Sequence, residues 1–293
     1  MPELPEVEVV RLGLSPFLAG ARVGNVRVFH ERAVRRNEGD FSGELKDVEI
    51  LHVSRRGKYL WLVTNGDMAV VIHLGMSGQL RMRSAHDADL AQFAQHPHLR
   101  LRFTLTDSQG KATFLDFLDQ RTFGGMHLSP LVSVEGEKIP QSILHIARDP
   151  LDPHFSFNPF AQKLHRKKTE IKRALLDQSL ISGVGNIYAD EALWRSRVHG
   201  NFKADQLSDV VVEQLVHNVK EVMHEALEQG GTSFDSLYVN VNGESGYFSR
   251  NLNVYGRESE PCDRCGFPIE RLKFMNRSSF YCPSCQSLEQ GIA

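Results

Sequence analysis

Along the first eighteen residues the apolar side chains recur at three- and four-residue steps: Leu4, Val7, Val10, Leu14 and Leu18. That spacing puts one apolar face on a helix. Pro5 suits the first helical turn, where its missing N–H leaves no bond unmade. Glu6 and Glu8 fall near the positive end of the helix dipole. From there to about residue 130 the period shortens to two. In HLRLRFTLT, Leu99, Leu101, Phe103 and Leu105 share one face, with Arg100, Arg102, Thr104 and Thr106 on the other. Asn65-Gly66 and Ser108-Gln109-Gly110 each separate two strand-like runs and predict hairpins. Hairpins with one apolar face predict a β-sandwich or barrel behind the first helix. Residues 84–97 read as an inserted loop.

A polar, proline-containing connector follows at 134–157. Helical patterns then occupy PFAQKLHRKKTEIKRALLDQ, GNIYADEALWRSR and LSDVVVEQLVHNVKEVMHEALEQGG, the last closed by a glycine pair suited to a helix C-cap. The pattern divides the chain into a helix-plus-sheet domain over 1–133, a linker over 134–157, a helical domain over 158–256 and a cysteine-bearing segment over 257–293. The fold class is α+β with several domains.

Composition constrains this picture without redirecting it. Hydrophobic residues make up 41% of 293, enough for a core of ordinary size, and charged residues 24%. Thirty-four Lys and Arg against 36 Asp and Glu give a net charge of −2, so there is no global attraction to nucleic acid. Any basic surface is local: between 160 and 203 there are nine Lys or Arg and four acids. Apolar runs such as MAVVI at 68–72 are far too short to span a membrane, and the acidic start lacks the pattern of a signal peptide. The expectation is a cytoplasmic protein with reduced cysteines.

All four cysteines lie near the end, as Cys262-x2-Cys265 and Cys282-x2-Cys285 sixteen residues apart. Two thiolate pairs at this spacing predict one structural zinc with four protein ligands and no open position. A redox pair would need one such motif alone. The connecting run carries Arg271, Lys273 and Arg277. Upstream, Gly183-Val184-Gly185 opens onto a helix near Asn186, an arrangement able to present backbone N–H groups to a phosphate. The segments SRRGKYL, HLGMSGQL and LDQRTFGGM are each a turn with one or two functional side chains. Singly, His73 in the second of them reads as a structural histidine.

Taken together and in order, PELPEVE, RRGKYL, HLGMSG, DQRTFG, SGVGNIYADE, GYF before VYGR and the four-cysteine finger resemble bacterial formamidopyrimidine-DNA glycosylases, nearly end to end. The resemblance implies an N-terminal helix with an antiparallel β-sandwich, a helix-two-turn-helix domain and a zinc-finger hairpin. It implies a monomeric bifunctional glycosylase and abasic-site lyase acting on oxidised purines in double-stranded DNA. Loss of Met1 would free the secondary amine of Pro2 as nucleophile, with Glu3 as general acid and Lys58 near the lesion phosphate. The general-acid role requires a carboxyl that starts protonated. Glu6 and His73 match further family positions at the DNA site. Met76, Arg121 and Phe123 match the set that fills the gap left by a flipped base. Asn186 and Arg277 match a phosphate clamp, and Tyr247 lies in the loop that covers the lesion. Near that loop the chain departs from the best-known relatives, with Ser233, Phe234 and Asp235 where a lysine is usual. An endonuclease VIII-type enzyme for oxidised pyrimidines is disfavoured by Leu4 and by HLGMSG. A zinc-containing DNA-binding protein without catalysis is disfavoured by Pro2, Glu3 and Lys58.

Overall fold

The computed structural model of the chain describes residues 2–87, 93–232 and 248–288. The chain divides into two compact units, 1–145 with 230–247 and 146–229 with 248–293.

In the first unit, helix α1 (Leu4–Leu18) buries the whole apolar stripe, and Pro5 stands in its first turn. Among the described residues a four-residue helix α2 (Phe41–Glu44) interrupts a series of nine strands. These are β1 (Ala21–Val28), β2 (Glu49–Arg56), β3 (Tyr59–Thr64), β4 (Met68–His73), β5 (Gly78–Ser84), β6 (Leu99–Thr106), β7 (Ala112–Asp119), β8 (Gly125–Val134) and β9 (Glu137–Pro140). They form one antiparallel sheet in the order β5-β7-β6-β1-β2-β3-β4-β8-β9. Its halves join where β1 meets β2 through two register pairs, Ala21 with Ile50 and Arg22 with Glu49. Beyond that link β1 stays paired with β6 as far as Val28. Val26, Leu62, Ile72, Leu80, Phe103 and Phe117, drawn from both halves, share one core with Val7 and Leu14 of α1. Helix α1 packs on β2 and β3 from one half and β5 from the other. A sheet folded over a shared core is the sandwich that the hairpin pattern predicts. The 134–157 connector is more structured than its composition suggests: it supplies β9 and a 3-10 turn at Gln141–Ile143, with Ile139 and Ile143 buried.

The second unit holds α3 (Phe157–His165), α4 (Ile171–Leu175), α5 (Asn186–Arg195), α6 (Asp209–Glu228) and a two-stranded hairpin, β10 (Glu270–Phe274) with β11 (Arg277–Tyr281). The pattern from 159 to 178 predicts one helix, but the structure breaks it between α3 and α4. The cause is tertiary. Ile171 and Lys172 donate their N–H groups to the carbonyls of Phe202 and Gly200, and Ala204 donates to Thr169. Those bonds hold Glu170 extended and replace the intrahelical ones. Helix α6 ends before Gly230 and Gly231, both at positive φ, as the glycine pair predicts.

Candidate nucleic-acid interface and metal centre

In the first unit most of the side chains that the sequence singles out sit on turns between strands of the sheet. Arg56 pairs with Tyr59 across β2 and β3, leaving Gly57 and Lys58 as a two-residue loop. Gly57 has φ +55°, the glycine-first geometry of a type II′ hairpin. Lys58 is thus at a hairpin tip, yet only 8% exposed. Arg55 ties this tip to α1, because its Nε donates to Glu8 Oε2 at 2.7 Å and its Nη1 to the carbonyl of Gly57 at 3.1 Å. Burial alone would raise the Glu8 carboxyl, but the Arg11 and Arg55 guanidinia outweigh it and hold Glu8 below the usual range.

Pro2 and Glu3 are buried at the mouth of α1. Glu6 caps the helix from within: its Oε2 accepts the N–H of Glu3 at 2.8 Å. Its other oxygen, Oε1, accepts the N–H of Thr232 at 2.8 Å. One carboxylate therefore bridges the start of the chain and residue 232. Tyr247, Asp235 and the segment predicted to cover a lesion lie outside the described residues.

His73, at the end of β4, accepts the N–H of Gly75 on Nδ1 at 3.0 Å and packs its ring against Tyr59. Burial pushes its pKa down to about 4, helped by the positive charges of Arg36 and Lys58. It stays neutral at physiological pH. The turn after it carries Met76, and the turn between β7 and β8 carries Arg121 and Phe123. These turns meet backbone to backbone. A Cβ on Gly75 would lie 2.3 Å from the amide nitrogen of Gly124, and one on Gly124 would lie 2.8 Å from the carbonyl oxygen of His73. The contact requires glycine on both sides. It brings Arg121 Nη1 to 3.8 Å from Met76 Sδ. Arg35 fixes the far side of the second turn, donating to the carbonyls of Thr122 at 3.0 Å and Phe123 at 3.2 Å. Met76 and Phe123 nevertheless remain 42% and 48% exposed. Two large apolar side chains held outward on stiff turns suit insertion into a base stack.

In the second unit Gly183 takes φ +87° before α5. Gln178 staples that turn, donating to the carbonyls of Leu176 and Val184 and accepting the N–H of Gly183. Asn186 opens α5 and donates its side-chain amide to the carbonyl of Ser278 at 2.8 Å. Arg277, the neighbour of Ser278, starts β11 and is exposed. Residues 91 positions apart are thereby brought together, and the buried Oδ1 of Asn186 has no hydrogen-bond partner among the described residues.

The basic run is mostly neutralised internally. Lys167 pairs with Asp177, Lys172 with Asp190, Arg173 and Lys203 with Glu170, and Arg195 with Glu225. Four of the nine cations, Lys163, Arg166, Lys168 and Arg197, form no ion pair among the described residues. The local excess of +5 thus overstates the cations open to a polyanion.

The finger is held by carboxylates that sequence reasoning overlooked. Asp190 accepts from Ser279 Oγ and the N–H of Phe280, each at 3.0 Å, and from Lys172 Nζ at 2.6 Å. Burial pushes Asp190 up to about 6, against the pull of Lys172 and the two hydrogen bonds. Its neighbour Glu191 accepts the N–H groups of Asn253, Val254 and Tyr255 and the side-chain amide of Asn253. The sequence signal for both was an acid pair inside an otherwise apolar helical stretch, IYADEALW.

The four cysteine Sγ atoms lie within 4.8 Å of one another. Cys265 and Cys282 are 3.5 Å apart, and Cys262 and Cys285 4.0 Å. Tetrahedral zinc with bonds of about 2.3 Å needs sulfurs about 3.8 Å apart, so the cage fits. Burial works against a thiolate at Cys262, but backbone N–H groups of Arg264 and Cys265 and the Trp194 indole bring its pKa down to about 6. The indole nitrogen is 3.4 Å from Cys262 Sγ, while Arg264 stacks over the same ring at 4.1 Å.

Known proteins match this arrangement along the chain. Residues 1–126 match the Formamidopyrimidine-DNA glycosylase N-terminal domain, residues 146–237 the Formamidopyrimidine-DNA glycosylase H2TH domain, and residues 259–288 the zinc finger found in FPG and IleRS. The formamidopyrimidine-DNA glycosylase of Rhodococcus jostii is 53% identical, over 98% of this chain and 96% of that protein. That of Salinispora tropica is 55% identical, again over 98% and 96%. A Lactococcus lactis FPG mutant solved with Fapy-dG containing DNA superposes with a TM-score of 0.82 at 30% identity, covering 98% of this chain and 100% of that one. The Lactococcus lactis Fpg solved with abasic-site DNA gives 0.81 at 29% identity, over 97% and 99%. No helix among the described residues is long and apolar enough to cross a membrane. With family matches over most of its length and half its residues identical to curated members, the chain belongs to the formamidopyrimidine-DNA glycosylase family.

Proposed function

We propose that this DNA glycosylase and abasic-site lyase removes oxidised purines, 8-oxoguanine and formamidopyrimidines, from duplex DNA and then cuts the strand. It acts as a monomer, with one zinc ion holding the finger's shape. The observation that carries the reading is the burial of Pro2, Glu3 and Lys58 in one unit of a chain related end to end to such enzymes.

Removal of Met1 exposes the Pro2 secondary amine. An α-amino group titrates at about 7.7–8.0, so a useful fraction is neutral near pH 7. Its lone pair attacks C1′ of the damaged nucleotide. The C1′–N bond breaks, and its electrons leave with the base, which takes up a proton. Glu3 gives its proton to the ring oxygen O4′ as the sugar opens, and the Pro2–C1′ bond becomes an iminium. The iminium acidifies C2′. Loss of a C2′ proton expels the 3′ phosphate, a second elimination expels the 5′ phosphate, and water then releases Pro2.

Flipping the damaged nucleotide costs a few kcal/mol. Met76 and Phe123 fill the gap, and the Arg121 guanidinium hydrogen-bonds the orphan cytosine. Asn186 and Arg277 hold a phosphate, with Lys58 and neutral His73 lining the lesion site. Borohydride tests the chemistry directly. It should trap a covalent protein–DNA adduct on abasic duplex, and Pro2→Gly, whose primary terminal amine can still form a reducible imine with an abasic aldehyde, should weaken excision of the damaged base while leaving the fold intact. Full excision activity after the substitution, or active protein whose intact mass retains Met1, refutes the nucleophile. Faster excision of thymine glycol than of 8-oxoguanine opposite cytosine would shift the substrate class to pyrimidines.

A further inference from the structure

We infer that Asp119 is a positioning residue that locks the Met76 turn and the Arg121–Phe123 turn into one wedge for the emptied base stack, an inference resting on the gap-filling role proposed above for those three side chains. Asp119 ends β7 and is 1% exposed. Its carboxylate is divided between the two turns. Oδ1 accepts from Ser77 Oγ at 2.6 Å and from the N–H of Arg121 at 3.2 Å. Oδ2 accepts the N–H of Gly124 at 2.7 Å. Ser77 Oγ also accepts the N–H of Arg121 at 3.1 Å, closing a triangle among the three residues. Ser77 follows Met76 in the chain, while Arg121 and Gly124 bracket Thr122 and Phe123. Every wedge side chain is thus one residue or less from a group bonded to this carboxylate or to its Ser77 partner.

The carboxylate is itself anchored from behind. The Asp119 carbonyl accepts from Arg100 Nε at 2.7 Å, and its N–H donates to the carbonyl of His98. Strand β6 therefore supports it, away from the exposed tips. An ionised carboxylate is a pure acceptor, so it can take donors from both turns at once. Charge-assisted bonds of this kind are stronger than neutral ones. A neutral isostere cannot serve in the same way. Asparagine would set its NH2 against either the Gly124 N–H or the Ser77 and Arg121 donors, releasing one turn. The apolar tips would persist but would no longer enter the duplex together, and misplaced groups lose rate steeply.

The test uses the full-length protein with its metal and three substrates, the first a duplex with 8-oxoguanine opposite cytosine that reports excision. A duplex bearing a tetrahydrofuran site, with 2-aminopurine in the opposite strand beside it, reports gap filling by fluorescence without any base to excise. A single-stranded oligonucleotide with a true abasic site reports borohydride trapping where no gap exists. Asp119→Asn should lower the 2-aminopurine response and duplex excision by about tenfold, the equivalent of one lost charge-assisted bond. Trapping on the single strand should change by less than about twofold. Ser77→Ala should shift both readouts the same way by less, and it carries the test if Asp119→Asn does not fold. An equal fall on duplex and single strand would make Asp119 merely structural, and no fall on either would also overturn the assignment. Met76→Ala and Phe123→Ala separate the two levels. If they leave the fluorescence response intact, the wedge reading itself fails and takes this inference with it. If they abolish it while Asp119→Asn and Ser77→Ala do not, the positioning role alone falls.

Discussion

The sheet unit and the finger present their candidate functional loops on very different foundations. Among the described residues, 23 buried apolar side chains form one cluster under the sheet. Around the finger the cluster has six, two of them the cysteines Cys262 and Cys282. At about 1.5–3 kcal/mol for each large side chain fully buried, the finger's apolar share cannot fix a hairpin against its conformational entropy. The sheet can therefore leave Met76 and Phe123 outside its core, whereas the finger needs other sources of order. Among them are the sulfur cage and the consecutive carboxylates Asp190 and Glu191, which bind β11 and the segment 253–255 to α5. Buried charge recurs in both units with different tasks. In the sheet unit Asp119 aligns two turns on an already stable body; in the second unit Asp190 and Glu191 hold the finger to its body.

Removing the metal should expose this contrast most strongly. Structural zinc contributes roughly 10–16 kcal/mol in finger peptides. Cys262→Ala should therefore lose zinc and unfold the hairpin while β3 and β4 keep their protection. Zinc content, hydrogen exchange of β10 and β11, and DNA affinity should fall together. Full DNA affinity without zinc would mean that the finger, Arg277 included, does not touch DNA.

Next in size is the buried pair. Lys172→Met would leave Asp190 fully buried with two hydrogen bonds and no counter-charge, and breaking such a pair costs about 3–5 kcal/mol. Exchange should accelerate in α5 and β11, with zinc still bound. Adding Asp190→Asn should recover part of the loss, because the uncompensated charge is then gone. A loss under about 1 kcal/mol for Lys172→Met would shift the finger's anchorage from Asp190 to its other ties, Glu191 and the metal first among them.

These anchors mark the limit of what the sequence discloses. The α1 stripe, the alternation of β6, both hairpin turns and the cysteine spacing are local periodicities, and each forms as read. Asp119, Asp190 and Glu191 have no such signature. Each is an acid whose meaning depends on partners that the fold brings in: Ser77 is 42 residues from Asp119, and Glu191 is 62 from Asn253. The same reason hid the break between α3 and α4, where the bonds to 200–204 override a helical pattern. It also explains why nine cations look available in the sequence although five are ion-paired. The FLDFLD run held a usable clue, since an acid inside a strand's apolar face must find donors. The roles proposed for Pro2 and Glu3 are legible only through the family, because nothing in their spacing distinguishes them from a stiff helix start.

The smallest effect concerns the sheet's own weak point, His73. Its pKa is about 4 in the folded protein, against about 6.5 unfolded. Between those values the unfolded chain binds the proton and the folded one does not. The unfolded state therefore gains as pH falls, and the sheet loses stability from about pH 6.5 down to about pH 4, with no effect above that window. The shift corresponds to roughly 3 kcal/mol at the acid end. Replacing His73 with Asn keeps an acceptor near the position of Nδ1 for the N–H of Gly75 and removes the titration. Protection factors of the β3 and β4 amides at pH 7 and pH 4.5 provide the measurement, because exchange in those strands reads the sheet unit separately from any loss of zinc in acid. The native protein should lose protection over this interval and His73→Asn should stay flatter. Equal losses in both would place the acid sensitivity elsewhere in the sheet. They would also mean that Arg36 and Lys58, the positive charges acting on His73, do not set its response.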